Sequence, residues 1–491
     1  MTRPSAWKMV PAVFALCAAT AIASPAQTLT TLLMFHGPNG ETPGGGSFTQ
    51  GRDGALYATT ESGGTNNQGT VFRVGKGGLA VLHSFCSLPG CADGQVPIGT
   101  LLLGNDGNFY GTTWQGGDQN CGLPSGCGTV FRISPNGTFV TLHTFEWTDG
   151  AGPFNDNLIQ AADGNFYGTT AEGGNLNCGL DVGCGTVFTI TPTGRFSTLY
   201  KFSGTDGNRP AGLVQASNGI LYGGTYEGGN CVYELGCGTI FSITPSGTVT
   251  TLYDFTGAAG GPQSALVQAA NGNLYGTTEY GGHTCLFDAD SCGTVFTMTL
   301  SGELTTIHEF MNTDGAFPYG GLIQATDGNF YGTTAGGGNS ICEDGCGTLF
   351  QMTASGAVTT LKRLNGRDGL NPYSGLLQAT NGTIYGLTSG GGDFECSPTY
   401  GCGTIFSLDM GLGPFAALVR DMGKVGQGDG ILGQGFTGTT GVAFNGIPAT
   451  FKVLSDTYLT ATVPPGATTG YVTVATPSGT LTSNVPFHVI P

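Results

Sequence analysis

Short runs of alternating apolar and polar residues, each ended by Gly, Asn, Asp or Pro, recur along almost the whole chain, and the period is that of β-strands. They fall into a unit of about 55 residues that occurs seven times, with its most regular landmark at Tyr57, Tyr110, Tyr167, Tyr222, Tyr275, Tyr331 and Tyr385. The third copy shows the four strand-like segments of each unit: Asn157–Ala161 (A), Asn165–Thr170 (B), Gly185–Ile190 (C) and Phe196–Phe202 (D). Asp163-Gly164 joins A to B, and an Asn-Gly or Asp-Gly pair recurs there as the signature of a tight antiparallel turn. A Pro/Ser/Gly turn such as Pro192-Thr-Gly194 joins C to D. Four antiparallel strands in a unit of this length predict a β-propeller blade.

The order of pieces predicts how the ring closes. The chain begins with a D-type segment, Thr30–Phe35, and the last unit stops after a C segment, Gly403–Leu408. The N-terminal outer strand therefore completes the final blade, and closure removes the exposed sheet edges that invite aggregation. The seven strand-C phenylalanines from Phe72 to Phe406 read as core, since neighbouring blades bury both faces. His83, His143 and His308 share one strand-D position with Leu33, Tyr200, Tyr253 and Lys362, and a position that accepts all of these is not catalytic.

Composition agrees and adds a compartment. Glycine supplies 90 of 491 residues and charged residues only 10%, against 39% hydrophobic, which fits many short strands on glycine turns. A basic start, an apolar run from Met9 to Ala21 and small residues through Ala26 form a secretory signal peptide over 1–26. Its removal leaves 13 Lys+Arg against 32 Asp+Glu, a balance of −19 that repels nucleic acid and anionic membranes. Apart from Cys17 the cysteines form seven close pairs: Cys86/Cys91, Cys121/Cys127, Cys178/Cys184, Cys231/Cys237, Cys285/Cys292, Cys342/Cys346 and Cys396/Cys402. On an exported chain they read as disulfides; zinc, which usually draws two close pairs together, is the rival reading.

The Tyr-Gly-Thr-Thr, Gly-Gly, Cys-Gly-Thr-Val-Phe and Thr-Asp-Gly pattern over roughly 29–410 resembles the GloVer (Gloeo_Verruco) tandem repeat, and the glycine pair after strand B, as at Gly173-Gly174, is similar to kelch blades. The resemblance implies an exported bacterial repeat protein and brings no activity. After Gly411 the repeat stops. Gly433–Phe436, Val442–Gly446, Ala449–Phe451, Leu459–Pro465 and Gly470–Val474 resemble an IPT/TIG domain, which implies an immunoglobulin-like β-sandwich used as a spacer or interaction module. The expected organisation is a signal peptide at 1–26, a seven-bladed all-β propeller at 27–410 and the sandwich at 411–491.

Chain direction alternates along A to D, so the long B-to-C and D-to-A loops share one face, and all seven cysteine pairs lie in them, where as bridges they would pin that face. Residues that vary just after strand B are free to specialise: Glu61, Trp114, Ala171, Tyr226, Glu279 with Tyr280, Ala335 and Ser389. Trp114, Trp147, Tyr226 and Tyr280 are the candidate ligand-binding residues, as platforms for the apolar face of a sugar ring. No catalytic set is visible. Asp149, Asp206, Asp314 and Asp368 recur in Asp-Gly pairs and read as turn chemistry first, with calcium as the one metal they suit. The expected function is an exported non-enzymatic protein binding an extracellular glycan or protein on this face. The alternatives are a secreted lyase or hydrolase acting on polysaccharide, and a purely structural cell-envelope component.

Overall fold

The computed structural model describes residues 28–490 except 155–157, 179–181, 232–236, 257–259, 286–290, 339–340 and 343–344. The expected signal peptide lies outside the described residues. Why Tyr is the landmark of strand B is visible in the third repeat: the Tyr167 hydroxyl reaches back across the A-to-B turn and donates to Asp163 Oδ2 at 2.8 Å. Tyr57, Tyr110 and Tyr331 do the same to Asp53, Asp106 and Asp327. At the other end of strand B a buried threonine, Thr170, pairs with Thr186 of strand C at 2.9 Å, and this hydroxyl pair recurs in the other repeats. A hydroxyl pair satisfies two buried groups that would otherwise cost free energy.

These local devices build repeated four-stranded antiparallel sheets, seven among the described residues of the repeat region, each in the order A-B-C-D. The arrangement is an all-β propeller-like array. Strand A is shorter than the sequence suggests, with ladders such as Ile159–Gln160 and Leu377–Gln378 only two residues long. A proline, which cannot donate to a ladder, precedes each A segment, as Pro153 precedes Asn157; only in the fourth sheet does the strand run on through its proline, over Asn208–Gln215, with a register shift between Pro210 and Leu213.

Glutamines at the end of strand A tie each sheet to the one before. Gln215 Oε1 accepts from Ala162 N at 2.9 Å, and Gln160, Gln268, Gln324 and Gln378 accept likewise from Asn105, Ser217, Ala270 and Thr326. Gln50 completes the relay by accepting from Thr380 N at 2.9 Å, across 330 residues of sequence, so the first and last repeats are neighbours. Thr28–Met34 pairs antiparallel with Thr404–Asp409, as the D-first order predicts. Between the sheets lie buried clusters built from Tyr of strand B, Phe of strand C and Leu of strand A, such as Tyr167, Leu213 and Phe241.

The relay is broken once, where Leu103 stands in place of glutamine. Leu103 joins a cluster with Leu101, Phe109, Leu432 and Tyr458, the last two from the C-terminal unit. Arg52, from the tight turn of the first sheet, lies 4.4 Å over the Tyr458 ring, and its carbonyl accepts from Thr457 Oγ1 at 2.7 Å. The C-terminal unit is thus docked on the tight-turn face, opposite the long loops. It consists of two four-stranded sheets and a parallel pair, Met422–Lys424 with His488–Ile490, around a shared core that includes Ile431, Phe444, Leu459 and Val474. Among the described residues no helix is long and apolar enough to cross a membrane.

Removing residues 28–34 should leave the Thr404–Asp409 ladder as an open edge. The shortened protein is expected to unfold at lower temperature and to aggregate on heating, with a synthetic 28–34 strand restoring the midpoint. An unchanged midpoint, read by calorimetry, would show that closure contributes nothing.

Candidate functional site

The long-loop face is organised by backbone strain. Each strand A is entered through a residue preceding proline, and at Thr42, Val96, Arg209, Phe317 and Asn371 that residue is left-handed, with φ of 53°, 55°, 53°, 57° and 49°. Such a conformation costs on the order of 1–3 kcal/mol per non-glycine residue and persists only where neighbours impose it. Here the neighbours are two loops. The Asn371 N–H donates to the Cys346 carbonyl of the preceding sheet, and the Asn371 carbonyl accepts from Ser389 N, the first residue after strand B. Thr42 and Val96 accept in the same way from Glu61 and Trp114. The variable positions after strand B are therefore held in place by their backbones, leaving their side chains to differ.

Two cavities open among these side chains. The first, about 310 Å³, is walled by Trp114, Phe154 and Tyr226, floored by Ala171, Pro210 and Ala211, and edged by Glu172, Arg209 and Gln263. Trp114 and Phe154 meet edge to face, ring centroids 5.5 Å apart. Gly152 lies under the indole: a Cβ there would come within 2.9 Å of Trp114 Nε1, so the ring requires glycine at that point. Arg209 is held at 3.2 Å from Glu227 Oε1, and burial raises the carboxyl of Glu172 while Arg209 opposes the shift.

The second cavity, about 270 Å³, runs down the middle of the sheets between Gly45, Thr100, Ser264, Gly321 and Gly375, with Gln263, Tyr319 and Tyr373 among its lining residues. Glu279, 3% exposed, accepts from the Tyr319 hydroxyl on Oε1 and from Gln263 Nε2 on Oε2. Tyr319 and Tyr373 pack edge to face at 5.0 Å, and Tyr400 reaches Ser389 Oγ at 2.8 Å. Tyr373 is pushed up to about 12, first by burial and then by Tyr400, Glu61 and Glu279; burial and then Glu279 push Tyr319 further. Glu61 is raised to about 7 by burial.

Of the four aromatic residues expected to bind, Trp114 and Tyr226 share the first cavity and Tyr280 lies beside Tyr226, both rings flanking Gly260. Trp147 is not brought to them: it packs against Gly122 within the cluster around the Cys121–Cys127 bridge. The sequence reading missed Phe154, Glu172, Arg209, Gln263, Tyr319, Tyr373 and Tyr400. A signal for some was present, because the position three residues before the recurring strand-A leucine holds Gln263, Tyr319 and Tyr373 in successive repeats.

All seven cysteine pairs are disulfides. Cys86 is bonded to Cys91, Cys121 to Cys127, Cys178 to Cys184 and Cys231 to Cys237. Cys285 is bonded to Cys292, Cys342 to Cys346 and Cys396 to Cys402. Their role differs in one respect from a pin confined to the loops. Cys127, Cys184, Cys237, Cys292, Cys346 and Cys402, which stand just before strand C, are buried in the clusters between sheets, so each bridge anchors its loop to the core. Small, apolar and tethered, a half-cystine there fills core space, and in two bridges its partner, Cys121 or Cys285, is buried in the same cluster. Cys91 is the exception: it ends a short turn, Pro89–Cys91, in the D-to-A loop and is only partly buried. None of the fourteen sulfurs lines either cavity, so the bridges shape the face without touching what it would hold. Loops this small gain about 2 kcal/mol each from the bridge on the chain-entropy argument.

The Asp-Gly aspartates are already partnered. Asp149 and Asp314 take His143 and His308 at 3.1 Å, Asp206 takes the Tyr200 hydroxyl, and Asp368 takes Lys362 at 2.5 Å. Each carboxylate faces its own strand D, in a different sheet. Among the described residues, the one cluster compact enough for a metal is Glu41 with Cys396 and Cys402, whose sulfurs are joined to each other.

The pattern of the Gloeobacter/Verrucomicrobia repeat matches residues 20–181 and 177–406. The chain belongs to this repeat family. No curated protein matches it. Among solved structures, a catalytically inactive virginiamycin B lyase from Staphylococcus aureus with quinupristin is 15% identical, with a TM-score of 0.51 over 78% of this chain and 99% of that one. A fungal alcohol oxidase of the AA5 family in complex with copper is 13% identical, with a TM-score of 0.50 over 95% of this chain and all of that one. At such identities these neighbours speak to the propeller-like fold alone. The disulfides of the Gloeobacter/Verrucomicrobia repeat are consistent with an extracellular location.

The repeat's first copy supplies a test of the electrostatics at its loop face. Glu61 rises from an ordinary 4.5 to about 7 on folding, so between those values the folded protein holds a proton that the unfolded chain releases. Its contribution to stability therefore falls as pH rises through that window. Glu61→Gln should raise the unfolding midpoint at pH 8 by the equivalent of roughly 1–3 kcal/mol and leave it unchanged at pH 4. An equal effect at both pH values would contradict the burial of this carboxyl.

Proposed function

We propose that this is an exported, non-enzymatic binding protein whose seven-bladed, kelch-like propeller presents its long-loop face to an extracellular glycan. The immunoglobulin-like, IPT/TIG-like unit at 411–491 docks behind it as a spacer or attachment module. One observation carries the reading: the Trp114 cavity, in which aromatic walls stand beside a carboxylate, a guanidinium and an amide. A pyranose offers an apolar C–H face to such walls and hydroxyls to such heads. The volume is at the small end of ligand pockets, suited to one sugar unit of a longer chain. Loops held by disulfides and backbone hydrogen bonds lose little freedom on binding, which favours affinity from a small contact.

A second reading, a secreted carbohydrate-active enzyme, draws on the Glu61 and Glu279 carboxyls beside the central cavity; release of sugar from polysaccharide would establish it.

Tryptophan emission of the mature protein, titrated with a panel of polysaccharides, tests the binding reading. A saturable shift is expected that Trp114→Ala abolishes and Trp147→Ala preserves. No shift with any sugar would overturn glycan binding at this face.

A further inference from the structure

The two cavities form one track. Gln263 lines both, and the Glu279 carboxylate that it grips also raises the phenol of Tyr226 in the first cavity. At the far end the chemistry changes from mixed to one-sided. Glu61 and Glu279 stand with Tyr319, Tyr373 and Tyr400, and both carboxylates act on Tyr373. Among the described residues neither Glu61 nor Glu279 has a Lys, Arg or His ion-pair partner, while Arg209 is engaged with Glu227. Ser264, which lines the central cavity, has a buried hydroxyl oxygen without a hydrogen-bond partner.

We propose that this end of the track, the mouth of the central cavity, binds an ammonium group, and that the ligand is an oligosaccharide carrying free amino groups, laid from the Trp114 cavity into the mouth. The inference rests on the glycan reading and specifies its chemistry. Phenol faces attract a cation through their quadrupoles, and more strongly once water is excluded. Carboxylates accept N⁺–H bonds roughly twice as strong as those between neutral groups. A neutral sugar brings no charge to the part-buried Glu61, and an anionic one meets the buried Glu279 carboxylate. Burial has already lifted Glu61, a cost that an arriving ammonium group relieves.

Calorimetric titration of the full mature protein at pH 6.5 with glucosamine hexamer, its fully N-acetylated counterpart and a glucose hexamer tests the assignment. The glucosamine hexamer is expected to bind at least about tenfold tighter than the other two, as a charge-assisted bond requires. Glu61→Gln should erase that preference, and Tyr373→Leu should weaken it. Trp114→Ala should weaken all three sugars. Glu61→Gln loses no hydrogen bond, so the variant is expected to fold, and its unfolding midpoint checks this. Equal affinity for the three hexamers, or an undiminished preference in Glu61→Gln, would overturn the ammonium site and leave glycan binding standing. Failure of every hexamer to bind, with binding of a lysine-rich peptide instead, would overturn both.

Discussion

Antiparallel pairing of Thr28–Met34 with Thr404–Asp409 is the contact on which the other features depend, because it turns a row of sheets into a closed set. A linear array would end in two exposed edges, and its terminal sheets would each lack a neighbour to bury their aromatic faces. Once the first and last repeats are adjacent, the glutamine relay runs through Gln50 to Thr380, and every A-to-B turn but one donates to a glutamine of the next sheet. Closure also holds the long loops on one face at fixed spacing, and residues from the second to the fifth repeat can line one cavity.

The exceptions to the repeat show where the molecule departs from simple repetition. Leu103 gives up a glutamine hydrogen bond, and the apolar surface it leaves on the tight-turn face receives Leu432 and Tyr458. At the shared D-strand position His83, His143, Tyr200, His308 and Lys362 each pair with an aspartate of the next loop, whereas the loop sequence after Tyr253 has Ala259 at the corresponding place. Leu33 faces a loop with Asn39 instead. That pairing of donor with acceptor is structural chemistry, and it removes the Asp-Gly aspartates from the candidate site.

Strain and specificity meet at the residues before proline. Val96 and Phe317 would each be more comfortable with a negative φ, yet their amide and carbonyl groups bridge two loops each, so the hydrogen bonds hold the conformation. The same bridges fix Glu61 and Trp114 by backbone alone, so the binding face can be rebuilt by side-chain exchange without disturbing the sheets.

Periodicity, turn chemistry and the D-first order specified the sheets, their strand order, the closure and the disulfide partners, because each is a local rule repeated seven times. That one half of a bridge such as Cys178–Cys184 belongs to the core was not legible, since burial there comes from the neighbouring sheet. The positions after strand B, including Glu61, Trp114, Tyr226 and Glu279, were legible as the places where the repeat varies. What they form together was not. Trp147 and Trp114 are close in sequence terms yet only Trp114 lines the first cavity, while Gln263 reaches it, and Tyr319 and Tyr373 reach the central one, from repeats far along the chain. Convergence of side chains across a ring, and the docking of the C-terminal unit on the tight-turn face, are set by packing between distant segments, and no local pattern encodes either.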